Sequence, residues 1–237
     1  MKERAIAGYR RDDVVQNDDV VNDEGDGDAA LALAEEQARA QARELFDDFS
    51  VINNYVDKLI TDGVTRGLLG PKEPSRIWSR HILNCAALGE LLPFGADLID
   101  VGSGAGLPGI VLAIARPDLH VTLLEPMLRR WTFLGRVVDQ LDLADRVNVV
   151  RGRAEDCPDS YEVVTARAVA RLPKLLSWTI PLFYPDGQLL ALKGDSAMDE
   201  VAEAAQLLEA SDLSAEVVQV RAHPGAEMTN VVRVTRS

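Results

Sequence analysis

Four glycines stand within eight residues of the chain, directly behind an apolar run that contains an acid. The segment reads DLIDVGSGAGLPG over residues 97–109. Glycine has no Cβ, so a ligand can lie close to the backbone N–H groups of such a segment. Gly102, Gly104 and Gly106 alternate with other residues and follow Asp100. This arrangement predicts a loop that binds a ligand through main-chain amides.

The glycine spacing separates the ligand classes. The dinucleotide fingerprint is G-x-G-x-x-G, whereas this chain reads G-x-G-x-G and has Leu107 where the third dinucleotide glycine would stand. A phosphate-binding P-loop is excluded because no G-K-[ST] follows. The string Asp-x-Gly-x-Gly-x-Gly resembles motif I of S-adenosylmethionine (SAM)-dependent methyltransferases of class I. We therefore expect Asp100 and the three glycines of this string to form the cofactor loop.

Further candidate contacts follow the next two predicted strands. LHVTLLE ends in Glu125, and a carboxylate there can accept hydrogen bonds from both ribose hydroxyls of a nucleoside. The alternative is an ordinary exposed acid at a strand end. RGRAEDCP places Ala154 and Glu155 beside the expected adenine, where a backbone N–H could bond the ring. Glu155 and Asp156 could equally cap the next helix.

The methyl acceptor is constrained by the motifs that are absent. No Asn/Asp-Pro-Pro-aromatic motif, which serves exocyclic amines, follows the fourth strand, and that segment reads TARAVARLPK. Methylation of pyrimidine C5 needs a cysteine nucleophile, and neither Cys85 nor Cys157 fits that position. Guanine N7 carries no proton, so it needs no general base. The sequence is compatible with N7 chemistry without proving it.

Basic residues cluster near the expected site. TARAVARLPK carries Arg167, Arg171 and Lys174, and no acid occurs from residue 163 to 185. Arg76 and Arg80 are four residues apart, a spacing that places them on one helical face. These clusters predict a basic rim for nucleic acid within an acidic chain. The alternative is solvated helix faces with local ion pairs.

Lys193 ends the fifth predicted strand, in LLALKG, and would point toward the same site. It could contact a phosphate or the target base, or cap the strand. Arg129 and Arg130 begin the helix after Glu125 and extend the predicted basic rim.

Short apolar strands and helical stretches alternate after Pro93, which predicts a doubly wound, mostly parallel α/β sheet of the Rossmann-like class. The predicted strands are DLIDVG, HVTLLE, RVNVV, EVVTAR, QLLALKG, AEVVQVRA and NVVRVTR. Helices are expected near 107–116, 127–141, 172–183 and 196–210. The short, turn-like HPGAEMTN between the last two strands predicts an antiparallel hairpin.

Composition divides the chain into three segments. Residues 12–28 hold eight acids and no base, so residues 1–28 are predicted to be a disordered acidic tail. Residues 29–92 show helical periodicity, with helices expected over Ser50–Asp62 and Ser75–Leu92, and form an N-terminal helical extension. Residues 93–237 form the SAM-binding domain. The net charge of −13 argues at first against a nucleic-acid partner, so local patches must decide.

The two cysteines lack metal-type spacing, so we expect no metal site and a reducing, cytoplasmic setting. No segment has the length of a membrane span or the pattern of a secretory signal.

Beyond motif I, several segments occur in the order typical of one family. The chain resembles the RsmG/GidB family of bacterial 16S ribosomal RNA guanine-N7 methyltransferases over about residues 45–237, through RHILN, LIDVGSGAGLPGIVLAI, VTLLEPMLRRWTFL, GRAED, TARAVARL and LLALKG. One departure is INNYVDKL, where many members of the family carry Asn-Leu-Thr.

The resemblance implies methylation of a guanine N7 in the decoding-region loop of 16S RNA, within a small subunit. It implies SAM contacts from Gly102, Leu107, Ala154, Glu155 and Arg167, with Glu125 at the ribose. Lys193 and Arg80 become substrate-side candidates, and Arg167 also faces the RNA. The rival interpretations are a small-molecule methyltransferase, a SAM-binding assembly factor without catalysis, and a nicotinamide-linked oxidoreductase, which the glycine spacing opposes.

Overall fold

A computed structural model of the protein describes residues 23–65 and 67–237. The part of the predicted acidic tail before residue 23 lies outside the described residues. In the described chain a sheet with the order β3-β2-β1-β4-β5-β7-β6 forms the centre. Its strands are β1 (Asp97–Val101), β2 (His120–Leu124), β3 (Val147–Val150), β4 (Val163–Arg167), β5 (Gln188–Lys193), β6 (Leu213–Val220) and β7 (Thr229–Arg236).

The sheet confirms the predicted doubly wound topology. β1 to β5 pair in parallel, and β7 pairs antiparallel with both β5 and β6. The strand order reverses at β1, which lies between β2 and β4. In open α/β sheets ligands bind at the carboxyl ends of the strands on either side of such a reversal. The fold therefore places the ligand crevice at the ends of β1 and β4.

Helices cover both faces of the sheet. They are α4 (Gly109–Ala115), α5 (Leu128–Gln140), α6 (Leu172–Phe183) and α7 (Ala197–Ala210). Buried side chains of α4 and α5 share one apolar cluster, and those of α6 and α7 share another. Each helix follows a buried strand and returns the chain to the sheet, as the predicted alternation requires.

The N-terminal extension contains two α-helices and a mixed helical run. The helices are α1 (Asp23–Leu45) and α2 (Phe49–Lys58), and α2 continues as a π-helix over Leu59–Gly63. Asp48 caps α2 by accepting a hydrogen bond from the Ser50 N–H at 2.9 Å. The helix predicted over Ser50–Asp62 is therefore confirmed, and its helical backbone continues beyond Gly63 to Thr65.

Two details of the extension differ from the sequence-based expectation. α1 begins at Asp23 and not at Ala29, so residues 23–28 of the predicted tail are helical.

The second difference concerns the predicted helix Ser75–Leu92. This region consists of a 3₁₀ turn (Glu73–Arg76), a π-helix (Ile77–Leu83), the α-helical turn α3 (Asn84–Ala86) and a 3₁₀ turn (Ala87–Leu91). Arg76 has a φ of −135° at the junction between two of these pieces. The four-residue spacing of an α-helix therefore does not relate Arg76 to Arg80, and that prediction was wrong.

The extension packs against the sheet and forms no separate core. Ile52, Tyr55 and Ile82 are buried in the same cluster as Ile110 of α4 and Phe133 of α5. The first cluster therefore joins the extension to one face of the sheet. This shared core allows residues of the extension to reach the crevice.

Candidate active site

The glycine loop follows β1 and has backbone conformations that residues with a Cβ rarely adopt. Gly102, Gly104 and Gly106 have φ angles of +70°, +59° and +98°. A Cβ on Gly102 would lie 2.9 Å from the Val169 side chain, and one on Gly106 would lie 2.9 Å from the Tyr55 hydroxyl. The backbone conformation therefore favours glycine at all three positions, and at Gly102 and Gly106 the surrounding atoms also leave no space for a Cβ.

Asp100 supports the glycine loop from below. It is fully buried, and its Oδ2 accepts a hydrogen bond from the Gly109 N–H at 3.0 Å. Burial raises the pKa of the Asp100 carboxyl to about 7. The other oxygen, Oδ1, has no hydrogen-bond partner within the described part of the chain. In the structure Asp100 thus supports the glycine loop through its hydrogen bond with Gly109.

Glu125 lies at the end of β2 and faces the glycine loop. Its side chain is 1% exposed, so the alternative of an ordinary exposed acid was wrong. Its carboxylate accepts hydrogen bonds from the Gly104 N–H at 3.0 Å and the Met127 N–H at 2.9 Å. The Arg130 guanidinium lies 3.9 Å away. These contacts hold the carboxylate at the loop. There it can accept hydrogen bonds from ribose hydroxyls in place of the one from the Gly104 N–H.

A cavity of about 180 Å³ lies beside the loop at the ends of β1 to β3. It is lined by Val101, Gly102, Leu124, Pro126, Gly152, Arg153, Ala154, Glu155, Val169 and Trp178. Apolar walls with backbone amides at one side suit a purine ring. We call it the nucleoside cavity.

The nucleoside cavity contains only some of the predicted cofactor residues. Ala154 and Glu155 line it and begin a short 3₁₀ turn, Ala154–Asp156. Their contact with the adenine stays a prediction. Leu107 does not line it and packs against the apolar cluster shared with the extension. Trp178 of α6 also lines it and had no signal in the sequence, because α6 follows β4 and reaches the cavity only through its packing on the sheet.

A larger cavity of about 460 Å³ adjoins the nucleoside cavity and shares Val169 with it. It is lined by Arg80, Asn84, Arg167, Ala168, Val169, Ala170, Arg171, Leu192, Lys193, Gly194, Glu200 and Thr229. The structure therefore brings together Arg80, Arg167 and Lys193, which are far apart in the sequence. We call it the charged cavity.

Arg167 ends β4, and each of its side-chain hydrogen bonds is to the extension. Its guanidinium donates to the Cys85 sulfur at 3.2 Å, the Arg80 carbonyl at 3.3 Å and the His81 Nδ1 at 2.7 Å. The Arg80 side chain itself is 56% exposed and lies 4.0 Å from Glu73.

Lys193 is held in an ion pair that the sequence did not indicate. Its Nζ donates to the Ala170 carbonyl and to the Glu200 carboxylate, both at 2.7 Å. Glu200 also accepts from the Leu172 N–H at 2.8 Å. Burial raises the pKa of the Glu200 carboxyl, but the hydrogen bonds from Lys193, the Leu172 N–H and Ser196, with the charge of Lys193, together outweigh burial and hold the pKa below its ordinary value. The Glu200 carboxyl is therefore ionised at neutral pH, and it forms an ion pair with the Lys193 Nζ.

The predicted basic rim is only partly free of acids. Arg171 pairs with Glu203 on the surface at 2.6 Å, as the alternative of local ion pairs expected. Lys174 lies over the Trp178 ring, with its Nζ 5.2 Å from the ring centroid. Arg129 is exposed at the start of α5.

Within residues 23–65 and 67–237, no group of three or more His, Cys, Asp or Glu side chains is arranged to hold a metal ion. None of the helices described in this part of the chain has the length and hydropathy needed to cross a membrane.

Solved structures with similar folds are methyltransferases. The Bacillus cereus O-methyltransferase in complex with SAH aligns with 88% of this chain and 100% of its own, at 14% identity and a TM-score of 0.56. The mitomycin 7-O-methyltransferase MmcR aligns with 85% of this chain and 67% of its own, at 21% identity and the same TM-score. At these identities the likeness concerns the fold.

Relatives by sequence are much closer. The ribosomal RNA small subunit methyltransferase G of Salinispora tropica is 54% identical over 190 residues, which cover 76% of this chain and 78% of the relative. The protein of the same description from Thermobifida fusca is 52% identical over 82% of this chain and 83% of its own. The family model GidB, rRNA small subunit methyltransferase G, matches residues 48–228. The chain belongs to this family and is a SAM-dependent methyltransferase.

Proposed function

We propose that this enzyme methylates N7 of a guanine in the decoding-region loop of 16S ribosomal RNA, within a small ribosomal subunit. The descriptions of its relatives support ribosomal RNA of the small subunit as the substrate. The observation that carries the proposal is the pair of adjoining cavities. One suits a nucleoside, the other is charged, and they meet at Val169 beside the glycine loop.

The residues around the nucleoside cavity fit the adenosine part of SAM. Gly102, Ala154 and Glu155 would hold the adenine through the backbone, and Glu125 would accept hydrogen bonds from the ribose. Asp100 would support the loop, and its unpartnered Oδ1 remains available as an acceptor. The bound cofactor supplies an electrophilic methyl group, and the chain supplies its position.

The charged cavity suits an acceptor atom that loses no proton. Of the described residues that line it, Glu200 is the one carboxylate, and Lys193 already bonds it. Neither group serves as a general base in this arrangement. Guanine N7 attacks with its own lone pair, so the cavity needs only to orient the base. The carboxylate of Glu200 would also offset the positive charge that N7 methylation creates.

Arg167, Lys193 and Arg80 are proposed to position the RNA. Arg80 is the most exposed of the three and suits a phosphate. Arg167 lies deeper, where it can contact the target nucleotide or the carboxylate of SAM. A cytoplasmic location, expected from the cysteines, remains a prediction.

The proposal is tested with purified enzyme, SAM labelled on its methyl group, and small subunits from a strain that lacks the corresponding gene. We expect label in 16S RNA, and mass spectrometry of nuclease fragments should place it on N7 of a single guanine. Subunits from the parent strain are the control, because their site is already methylated. Label on another atom, or on a metabolite extract but not on RNA, would overturn the proposal. SAM binding without turnover on any ribosomal particle would favour an assembly factor.

A further inference from the structure

Arg167 is the proposed acceptor-side residue whose orientation is set from outside the SAM-binding domain. It ends β4, yet its three hydrogen bonds are to residues of the extension. A flexible arginine at a strand end has many rotamers, so these contacts decide where its charge lies. The shortest of them is the bond to His81, at 2.7 Å.

His81 belongs to the π-helix of the extension and is 6% exposed. A guanidinium has only donors, so the His81 Nδ1 must accept the hydrogen bond from Arg167. The proton of a neutral imidazole must then be on Nε2. That nitrogen lies within hydrogen-bond distance of the Glu73 carboxylate. The geometry therefore defines one tautomer, in which Glu73 accepts from His81 and His81 accepts from Arg167.

The electrostatics keep His81 in this neutral form. Burial and then the positive charge of Arg167 lower the pKa of His81 to about 4. Burial raises the pKa of Glu73, but the hydrogen bond from His81 and the charges of Arg80 and Arg167 together outweigh burial, and the net shift of the pKa is downward. At neutral pH the chain of contacts is thus a carboxylate, a neutral imidazole and a guanidinium.

We propose that Glu73 and His81 are positioning residues that aim the Arg167 guanidinium into the charged cavity. Glu73 holds the imidazole in the Nε2–H tautomer, and His81 presents an acceptor that holds the guanidinium. The helical extension thus contributes to catalysis through the position of Arg167. This inference rests on the proposed function, in which Arg167 faces the methyl acceptor.

The first test compares His81→Leu with His81→Gln. Leucine fills space but accepts no hydrogen bond, whereas glutamine can accept from Arg167 and donate to Glu73. We expect kcat/KM for small subunits to fall about 10- to 100-fold in His81→Leu, the usual loss for a hydrogen bond to a charged group. His81→Gln should recover most of it. Equal losses in both variants, or none in His81→Leu, would overturn the inference.

The second test asks whether His81 acts through Arg167. In an Arg167→Met background the further change His81→Leu should lower kcat/KM by less than about threefold, because coupled residues are not additive. Independent, multiplied losses would mean that His81 has only a structural role. Glu73→Ala is a milder variant at a side chain that is 28% exposed, so it tests the same contacts if His81→Leu does not fold. We expect Glu73→Ala to lower kcat/KM for small subunits by about two- to fivefold.

A direct physical measurement avoids activity altogether. The chain has three histidines, so their imidazole nitrogen resonances can be assigned by single substitutions. The inference predicts the Nε2–H tautomer for His81 at neutral pH, and its loss in Glu73→Ala. An Nδ1–H tautomer in the wild-type protein would overturn it. If the wild-type enzyme fails to methylate RNA while this tautomer is found, the proposed function has failed and the contact geometry has not.

Discussion

The two cavities at the carboxyl edge of the sheet are built in different ways. The nucleoside cavity is walled by apolar side chains and backbone, mostly from segments that directly follow β1, β2 and β3. The charged cavity takes its cations from separate parts of the chain. Two of them are held by partners on other elements: Arg167 by His81, which is 86 positions away, and Lys193 by Glu200 of α7. On the proposed function, cofactor binding would depend on local backbone geometry, and acceptor binding would depend on polar contacts between separate elements of the fold.

The largest effect is expected from removing a cation of the charged cavity. Arg167→Met should lower kcat/KM for small subunits about 100-fold or more, because a fixed charge near the reacting atoms stabilises the transition state strongly. Steady-state kinetics with subunits as the varied substrate measure this loss. Arg236→Met is a matched control, since Arg236 lies on β7 beside Asp212 and opposite Leu213, at the other end of the sheet. A similar loss in both variants would mean that the charged cavity has no special role.

A change to the nucleoside cavity should weaken the cofactor instead. Gly102→Ala places a Cβ 2.9 Å from Val169 at a φ of +70°, so the loop must shift. We expect SAM affinity, measured by calorimetry, to fall about 30-fold, the sum of a left-handed backbone penalty and a steric clash. Gly135→Ala in α5 is the control, because a Cβ added at that position would meet no atom within 4 Å. Unchanged SAM affinity in Gly102→Ala would refute the assignment of this cavity.

Breaking the ion pair of the charged cavity should cost stability as well as activity. Lys193→Met leaves Glu200 without its cation, and side chains of both residues are at most 9% exposed. We expect about 2 kcal/mol less unfolding free energy in denaturant titrations. Glu200→Gln should lose less, because the amide still accepts a hydrogen bond from Lys193. An unchanged midpoint in Lys193→Met would show that the pair is not coupled to the fold.

The smallest expected effect, counted per pH unit, is on the free energy of unfolding and concerns the Asp100 carboxyl. Its pKa is raised to about 7 in the folded protein, well above the ordinary value in the unfolded chain. The folded state therefore binds this proton more tightly, and its contribution to stability is lost as the pH rises from about 4 to 7. Wild-type unfolding free energy should fall relative to Asp100→Asn over that range, by at most about 1.4 kcal/mol per pH unit. Parallel pH profiles would contradict the raised pKa.

The same contrast explains how much was predictable from the sequence. The strands, their helices and the C-terminal hairpin follow from short periodic segments, and the structure confirms them. Ala154, Glu155 and Gly102 line the nucleoside cavity as expected because they directly follow strands. Leu107 was expected to contact SAM because of the family resemblance, and in the structure it packs against the apolar core.

The side chains that hold Arg167 and Lys193 in the charged cavity had no signal in the local sequence pattern. Glu200 reaches Lys193 from the first turn of α7, and His81 reaches Arg167 across 86 positions of the chain. The change of helix type at Arg76 also had no signal, so the prediction that Arg76 and Arg80 lie on one helical face was wrong. The contact of Arg167 with His81 depends on how the extension packs on the sheet, and that of Lys193 with Glu200 depends on how α7 packs on it. Periodicity encodes neither.

The most direct test of the two-cavity account is a crystal structure of the enzyme with S-adenosylhomocysteine bound. The account predicts the adenine in the nucleoside cavity beside Ala154, the ribose hydroxyls on Glu125, and the sulfur directed past Val169 toward the charged cavity. An adenine in the charged cavity, or a sulfur directed away from Arg167, would contradict it.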